Sequence, residues 1–260
     1  MVSIHPTAIV SEKAALAENV TIGPFTIVEA DVEIGEGTQI GPHCKIDDGA
    51  RIGKNCTIHQ GVVVSTPPQD LKYNDEKTYF ELGDNCVIRE YCTLNRGTVH
   101  SGTSKVGSDC LLMAYVHVAH DCFIGDKVII SNSTQLGGHV HIGYHAIVGG
   151  LVAIHQFVTI GAHTMTGGGI RVLKDVPPYA LAGHTPATFE GINSVGLRRR
   201  GFSAETRASI EEAYQIIYRS GRNVSQAVEH IKATMELTDE VQEILNFIDE
   251  SRRGIIKLGR

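Results

Sequence analysis

The sequence predicts a mainly β protein: a parallel β-helix of nine to ten coils followed by a small α-helical domain. Three observations carry this. Aliphatic residues recur at every sixth position from residue 4 to residue 160, all six cysteines fall in one phase of that repeat, and beyond a proline-rich break the apolar residues change to helical spacing.

The six-residue step starts at Ile4, runs through Val10, Leu16 and Ile22 to Val64, resumes in the same frame at Leu82 and continues to Ile160. Of its 27 positions, 24 are Ile, Leu or Val, the exceptions being Asp70, Glu76 and His100, so chance is not the source. An aliphatic residue and a small residue two earlier point to one side of a short strand. The residues after them, often beginning with Gly, turn a corner. Three such faces close a triangular coil of 18 residues, and coils stack as parallel strands about 4.8 Å apart. This coil resembles that of hexapeptide-repeat proteins. The resemblance implies left-handed winding, whereas the general crossover rule favours the opposite hand.

Cys44, Cys56, Cys86, Cys92, Cys110 and Cys122 all lie two residues before an aliphatic position. One shared phase marks a packing role, with cysteine as a small interior residue rather than a disulfide or zinc framework. Two excursions interrupt the repeat, near 65–81 ("STPPQDLKYNDEKTYFE") and near 97–105 ("GTVHSGTSK"). Loops on a repeat scaffold gather on one side and carry function.

The repeat stops near "LKDVPPYALAG", where prolines break it. We expect a β-helical domain over 1–185 and a helical domain over 186–260. Three helices are expected: Ser203 to Gly221, a second after Asn223 with Gln226 in a capping-box relation, and a third from Thr238 to Gly254. Ile210, Tyr214 and Ile217, and Ile244, Phe247 and Ile248, recur as a small bundle requires.

A net charge of −6 gives no reason to expect nucleic acid or an anionic membrane as partner. No apolar run approaches the roughly 18 residues of a membrane span, and "MVSIHPTAIV" has no signal-peptide pattern. The expectation is a cytoplasmic protein.

The chemistry concentrates in "HVAHDCFIGD", residues 117–126. Reduced by the 18-residue coil, His120, Gly138 and Gln156 share one phase, Asp121 and His139 the next, and His155 the one before; His117 lies on the strand entering the same corner. As turn residues, these side chains are expected to face outward. A histidine oriented by a carboxylate is a general base, and Gly138 offers an unobstructed N–H to an oxyanion. That set fits deprotonation of a hydroxyl and attack on an acyl carbonyl. The spacing of His117, His120 and His139 also leaves open a three-histidine zinc site of the carbonic anhydrase type found on the same solenoid. A non-catalytic scaffold is a further alternative.

Over nearly its whole length the chain resembles the UDP-N-acetylglucosamine O-acyltransferases that begin lipid A synthesis. The resemblance rests on "QDLKY" (69–73), "RGTV" (96–99), "KVGSDCLLM" (105–113), "HVAHDC" (117–122), "GGHV" (137–140), "HQFVTIGAH" (155–163), "DVPPY" (175–179) and "GLRRRGF" (196–202). It implies a homotrimer with sites between subunits. It also implies transfer of a 3-hydroxyacyl group from acyl carrier protein to the 3-hydroxyl of UDP-N-acetylglucosamine, with no cofactor and no metal ligand. By the same resemblance His120 is the base, Asp121 orients it and Gly138 is the oxyanion donor. Asp70 and Lys72 hold sugar and acyl hydroxyl, with Gln69 beside them. His117, His139, His155 and Gln156 line the cleft, Asn193, Arg199 and Arg200 reach the nucleotide, and Gly168 limits acyl length, its missing side chain implying a long chain. Asn95 stands where the family commonly has histidine, and Val195 where it commonly has glutamate. The N-acyltransferase acting later in that pathway is the nearest alternative; "QDLKY" and the tail beginning "DVPPY" favour the O-acyltransferase.

Overall fold

The repeat forms because two-residue strands that place one aliphatic side chain inward have no partner within their own turn and pair only with the coil above and below. In a computed structural model, which describes residues 1–259, strands mostly two residues long build three sheets of twelve, nine and eight strands, parallel except for one hairpin at the end of the first. Registers Ser3↔Thr21, Ile9↔Ile27 and Ala15↔Glu33 each span 18 residues. The result is a left-handed parallel β-helix. Across the two excursions the register lengthens to Thr57↔Val87 and Val87↔Leu111, steps of 30 and 24 residues. The excess over 18 is 12 and then 6, which is why the six-residue frame survives both loops.

Each aliphatic position from Ile22 to Ile160 is buried. The small interior position does more than fill space. Cys44 Sγ donates to His59 O at 3.0 Å, Cys110 Sγ to Gly125 O at 3.2 Å and Cys122 Sγ to Gly137 O at 3.3 Å. Thr26, Thr38 and Thr134 occupy the same position, and their hydroxyls donate to Gly41, Gly53 and Gly149 O at 2.7–2.8 Å. Each donor reaches the corner carbonyl 15 residues on and supplies that acceptor with a partner from inside the coil. The cysteines are therefore weak donors as well as packing atoms.

The glycines that open a corner, such as Gly35, are not there for backbone freedom. A Cβ on Gly35 would lie 2.6 Å from the Gly53 backbone one coil on. The left-handed conformation falls two residues later, on glycine at Gly37 (φ 72°) but at most corners on other residues such as Asn55, Asp121, His139 and Phe157 (φ 53–64°). Asn, Asp and His tolerate this region best, and their side chains stack in columns along the corners.

The irregular parts of the excursions are residues 67–78 and 96–102. After the last coil the chain turns back in an antiparallel hairpin, Ala180–Gly183 with Thr188–Ile192, which continues the first sheet, and Lys257–Leu258 pairs alongside it. Four helices follow the hairpin, one more than expected: α1 (Ser194–Arg199), α2 (Ala204–Arg219), α3 (Val224–Thr234) and α4 (Asp239–Glu250). The extra one, α1, has six residues with Gly196 inside, too short to show a period. The expected caps are present: Ser203 accepts from Thr206 N, Asn223 and Gln226 form a reciprocal box, and Thr238 accepts from Val241 N. Tyr179 donates its hydroxyl to Glu243, and Tyr214 donates to Pro178 O, tying α4 and α2 to the end of the solenoid.

The interior donor ladder predicts an order of stabilities. Replacing Cys44 by Thr keeps a donor of similar size and should leave the urea midpoint near wild type. Cys44→Val strands the His59 carbonyl and should cost about 1–2 kcal/mol.

Candidate active site

The corner between strands His117–Val118 and Phe123–Ile124 carries His120 and Asp121, held to the next coil by the 3.0 Å bond from His139 N to His120 O. Asp121 shares its positive φ with the other corner residues, and its carboxylate lies under the 96–102 excursion. The outward-facing expectation holds for His155 and Gln156, which are exposed, but not for this pair: the Asp121 side chain is wholly buried, and those of His120 and His139 are only 14% and 16% exposed. The excursion roofs the corner. Thr98 N and Thr98 Oγ1 donate to the carboxylate at 3.0 and 2.8 Å, Ser101 Oγ donates to Oδ1, and Ser104 Oγ accepts from Asp121 N at 2.7 Å.

His120 Nδ1 lies 2.7 Å from Asp121 Oδ2. An ionised carboxylate only accepts, so Nδ1 carries the proton and Nε2 keeps its lone pair for substrate. Burial pushes the Asp121 carboxyl up, but the hydrogen bonds from His120, Ser101 and Thr98 outweigh it and hold the group well below the usual carboxylate range. Gly138 sits against the same imidazole: a Cβ there would fall 2.6–2.7 Å from His120 Cε1 and Nε2. Its carbonyl accepts from Phe157 N at 3.1 Å, and no protein group accepts its N–H among the described residues.

Other histidines surround the pair. His117 Nδ1 is 2.7 Å from Thr93 Oγ1 one coil below, and burial followed by the nearby His120 pushes its pKa down. His139 meets His120 edge to face at 5.1 Å, stacks on Phe157 at 4.4 Å and receives His100 edge-on at 4.8 Å. Burial lowers its pKa against the opposing pull of Asp121 and, more weakly, Asp70. Asp70 is thus within electrostatic reach of the cluster. It shares the 67–78 loop with the exposed Gln69 and Lys72, and its Oδ1 accepts from Lys72 N at 3.0 Å. Asn95 is buried at the foot of this loop, where Nδ2 donates to Thr66 Oγ1 at 3.0 Å and Pro67 O at 3.1 Å, leaving its Oδ1 unpartnered. His155 and Gln156 are exposed one coil beyond Gly137 and Gly138, with His155 Nδ1 bonded to Gln156 O at 3.0 Å.

Four expected residues lie elsewhere on the single chain. Gly168 is on the corner after Met165–Thr166, where a Cβ would approach Gly150 O at 3.1 Å. Asn193 and Arg200 gather at the remaining corner, around His163: Asn193 Nδ2 donates to His163 O at 2.9 Å and its Oδ1 caps α1, while Arg200 Nη1 lies 3.4 Å from His163 Nδ1. Arg199 is exposed beside them.

Sequence reasoning did not single out Thr93, Arg96, Thr98, Ser101, His100 or Phe157. The "GTVHSGTSK" composition marked the second excursion as functional, but insertions shift the stacking phase, so pairing Thr93 with His117 requires the 24-residue register.

A cleft of about 1030 Å³ opens onto Asp121 and His139 between the outer face of Phe123 and His141, the His100–Ser101 loop, and residues 249–253 at the end of α4. Among the described residues, the only metal-competent cluster is His120, Asp121 and His139, with donor atoms within 4.8 Å of one another. Both Asp121 oxygens are already engaged by His120, Thr98 and Ser101, so the donor set suits an oriented base better than a cation. Cys122 is inert, its thiol pushed up to about 12 chiefly by burial.

Comparison with known proteins agrees with this geometry. Residues 175–256 match the family described as UDP-N-acetylglucosamine O-acyltransferase, domain 2, and residues 13–47 and 31–66 match the bacterial transferase hexapeptide repeat. The chain is 52% identical over 255 residues to an acyl-[acyl-carrier-protein]–UDP-N-acetylglucosamine O-acyltransferase of Chlorobaculum parvum, covering 98% of this chain and 97% of that one. It is 44% identical over 258 residues to the protein of that name from Thiobacillus denitrificans, covering 99% and 100%. Among solved structures, LpxA from Acinetobacter baumannii superposes with a TM-score of 0.95 at 44% identity, covering 98% of this chain and 99% of that one. The UDP-N-acetylglucosamine acyltransferase of Bacteroides fragilis gives 0.96 at 44%, covering 97% and 99%.

One pH effect follows from His163, stacked between His145 and Tyr179 and beside Arg200. Burial, then Arg200 and His145, lower its pKa to about 4. The unfolded chain binds a proton near pH 6.5 that the native state refuses. Stability should therefore fall as pH drops from about 6.5 to about 4 and level off below. In His163→Gln, denaturant midpoints should lose part of that slope.

Proposed function

We infer, from the premise that this chain belongs to the UDP-N-acetylglucosamine O-acyltransferase family, that it moves a long 3-hydroxyacyl chain from acyl carrier protein to the 3-hydroxyl of UDP-N-acetylglucosamine, the first step of lipid A biosynthesis. The observation that carries this reading is the His120–Asp121 bond beside Gly138. His120 Nε2 takes the proton of the sugar 3-hydroxyl, and the freed oxygen attacks the thioester carbonyl. The Gly138 N–H receives the oxyanion. Collapse breaks the carbon–sulfur bond, and the imidazolium returns its proton to the departing thiolate of the carrier. Asp121 stabilises the imidazolium while its remaining donors keep it ionised.

Around this centre Asp70, Lys72 and Gln69 hold the sugar and the acyl 3-hydroxyl. His117, His139, His155, Gln156 and the segment at Asn95 line the cleft. Arg199, Arg200 and Asn193 meet the nucleotide, whose phosphates suit guanidinium groups. The solenoid of residues 1–185 supplies the chemistry, and the region 186–260 the basic side chains. Since Gly168 and the arginine cluster occupy other corners than His120, we propose a homotrimer in which neighbouring copies complete each cleft. An exposed, side-chain-free Gly168 leaves room for a long acyl chain. No helix among the described residues is long and apolar enough to cross a membrane. We propose a cytoplasmic, cofactor-independent enzyme.

Transfer from a long 3-hydroxyacyl carrier protein to UDP-N-acetylglucosamine should persist in chelator and fall about 10²–10⁴-fold in His120→Ala. Activity indifferent to His120, or preference for a 3-amino acceptor, would overturn the assignment. Gly138→Ala should displace the imidazole and lower kcat while leaving the melting temperature near wild type. A fully active monomer, seen by light scattering at assay dilution, would refute the shared-cleft reading.

A further inference from the structure

In "RGTV", Thr98 has a role through Asp121, but Arg96 touches neither Asp121 nor His120. Its guanidinium reaches into the other excursion. Arg96 Nε donates to Tyr73 Oη at 3.0 Å, with the guanidinium 5.7 Å over the Tyr73 ring. Nη1 donates to Asp48 O at 2.9 Å and Ser65 O at 3.4 Å, and the Arg96 backbone N–H donates to Thr66 O at 3.2 Å. One half-buried side chain thus fastens the solenoid wall, the foot of the 67–78 loop and an aromatic ring within that loop.

Tyr73 is the right point to hold. Its N–H donates to Asp70 O at 3.0 Å, closing the turn in which Asp70 Oδ1 accepts from Lys72 N, and its hydroxyl donates to Glu76 O at 3.0 Å. The tip gains nothing from packing of its own: Leu71 is fully exposed, and Gln69 and Lys72 are exposed on either side. Lys77 pairs with Asp31 at 3.3 Å only as the loop returns, and Asn95 holds only its start. Fixing Tyr73 therefore fixes the turn that presents Asp70 and Lys72.

We propose that Arg96 is a positioning residue. Through Tyr73 it presets the Asp70–Lys72 turn beside the His120 corner, so that ordering this loop is not a cost met when the acceptor binds. The segment 95–101 then serves both excursions at once: Arg96 holds the loop that receives the sugar, and Thr98 and Ser101 hold the carboxylate behind the base. The proposal rests on the reading of Asp70 and Lys72 as acceptor-binding groups.

The test uses full-length Tyr73→Phe, Arg96→Lys and the double variant. Tyr73→Phe removes one hydroxyl and leaves the Asp48 and Ser65 carbonyls capped, so it is the variant expected to fold like wild type. Lysine keeps the charge but cannot span the ring and two carbonyls. Two measurements are made: hydrogen exchange of amides 69–76, and steady-state transfer to UDP-N-acetylglucosamine. Exchange should accelerate across 69–76 in both single variants. KM for UDP-N-acetylglucosamine should rise roughly tenfold with kcat within about twofold, the pattern of lost uniform binding. The acid limb of the pH profile should not move, and the double variant should be no worse than the poorer single one. Unchanged exchange, additive losses, or a fall in kcat with KM unchanged would each overturn the proposal. If the wild type fails to acylate UDP-N-acetylglucosamine, the proposed function falls on that result, while the exchange measurement still decides whether Arg96 holds the loop.

Discussion

The constraint on which everything else depends is the pairing of each coil with the next through parallel strands mostly two residues long. Such strands cannot slip, because a one-residue shift would turn every aliphatic side chain out of the core. Residues 18 apart are therefore locked into columns. Asp121, His139 and Phe157 form one column, and Gly138 lies one coil above His120 for the same reason. Insertions are admitted only where the chain can leave the wall and return in frame, as both do here, with 12 and 6 additional residues. The lattice alone brings His120, Gly138 and Asp121 to one corner.

Electrostatics then specialises one corner out of many. Most corners place a left-handed residue at the second turn position and leave it partly exposed, as at Asn55 or Asn85. At Asp121 the second excursion closes over the carboxylate and supplies donors from Thr98 and Ser101, so an ionised group is buried without being stranded. A buried carboxylate lacking such donors would take up a proton and stop orienting its histidine. With them it stays charged, and charge is what an imidazole needs behind it while it accepts a proton. The histidines around it are complementary: His117 and His139 are pushed toward the neutral form by burial, which limits positive charge beside the His120 imidazole.

How much of this was legible beforehand divides along the range of the interactions. The solenoid, the phase of the six cysteines and the convergence of His120, Gly138 and Gln156 follow from a fixed period, and a period is visible in one dimension. The caps at Ser203, Asn223 and Thr238 are equally local. What escaped were contacts made across the excursions, where the period is suspended: Thr98 and Ser101 on Asp121, Arg96 on Tyr73, Thr93 on His117. The hydrogen-bonding role of the cysteines escaped for another reason. It becomes evident only when the threonines at 26, 38 and 134 are seen to share their position and to reach the same carbonyls. Helix α1 carries no period at all, and its six residues are defined by the Asn193 cap.

The division of the expected site among three corners bears on why such a scaffold has a helical tail. A triangular solenoid presents each chemical group along one edge, and no bend of the chain brings Arg200 to the edge of His120. Arg200 is instead held at the His163 corner by α1, which Asn193 caps with the same amide that binds His163 O. α2 and α4 are pinned to that end of the coil by Tyr214 on Pro178 O and Tyr179 on Glu243. The tail thus fixes the Arg200 guanidinium at the His163 corner, while the excursions fix the His120–Asp121 pair at another. In a rigid column neither edge gives way, so within one chain the two groups stay on separate edges.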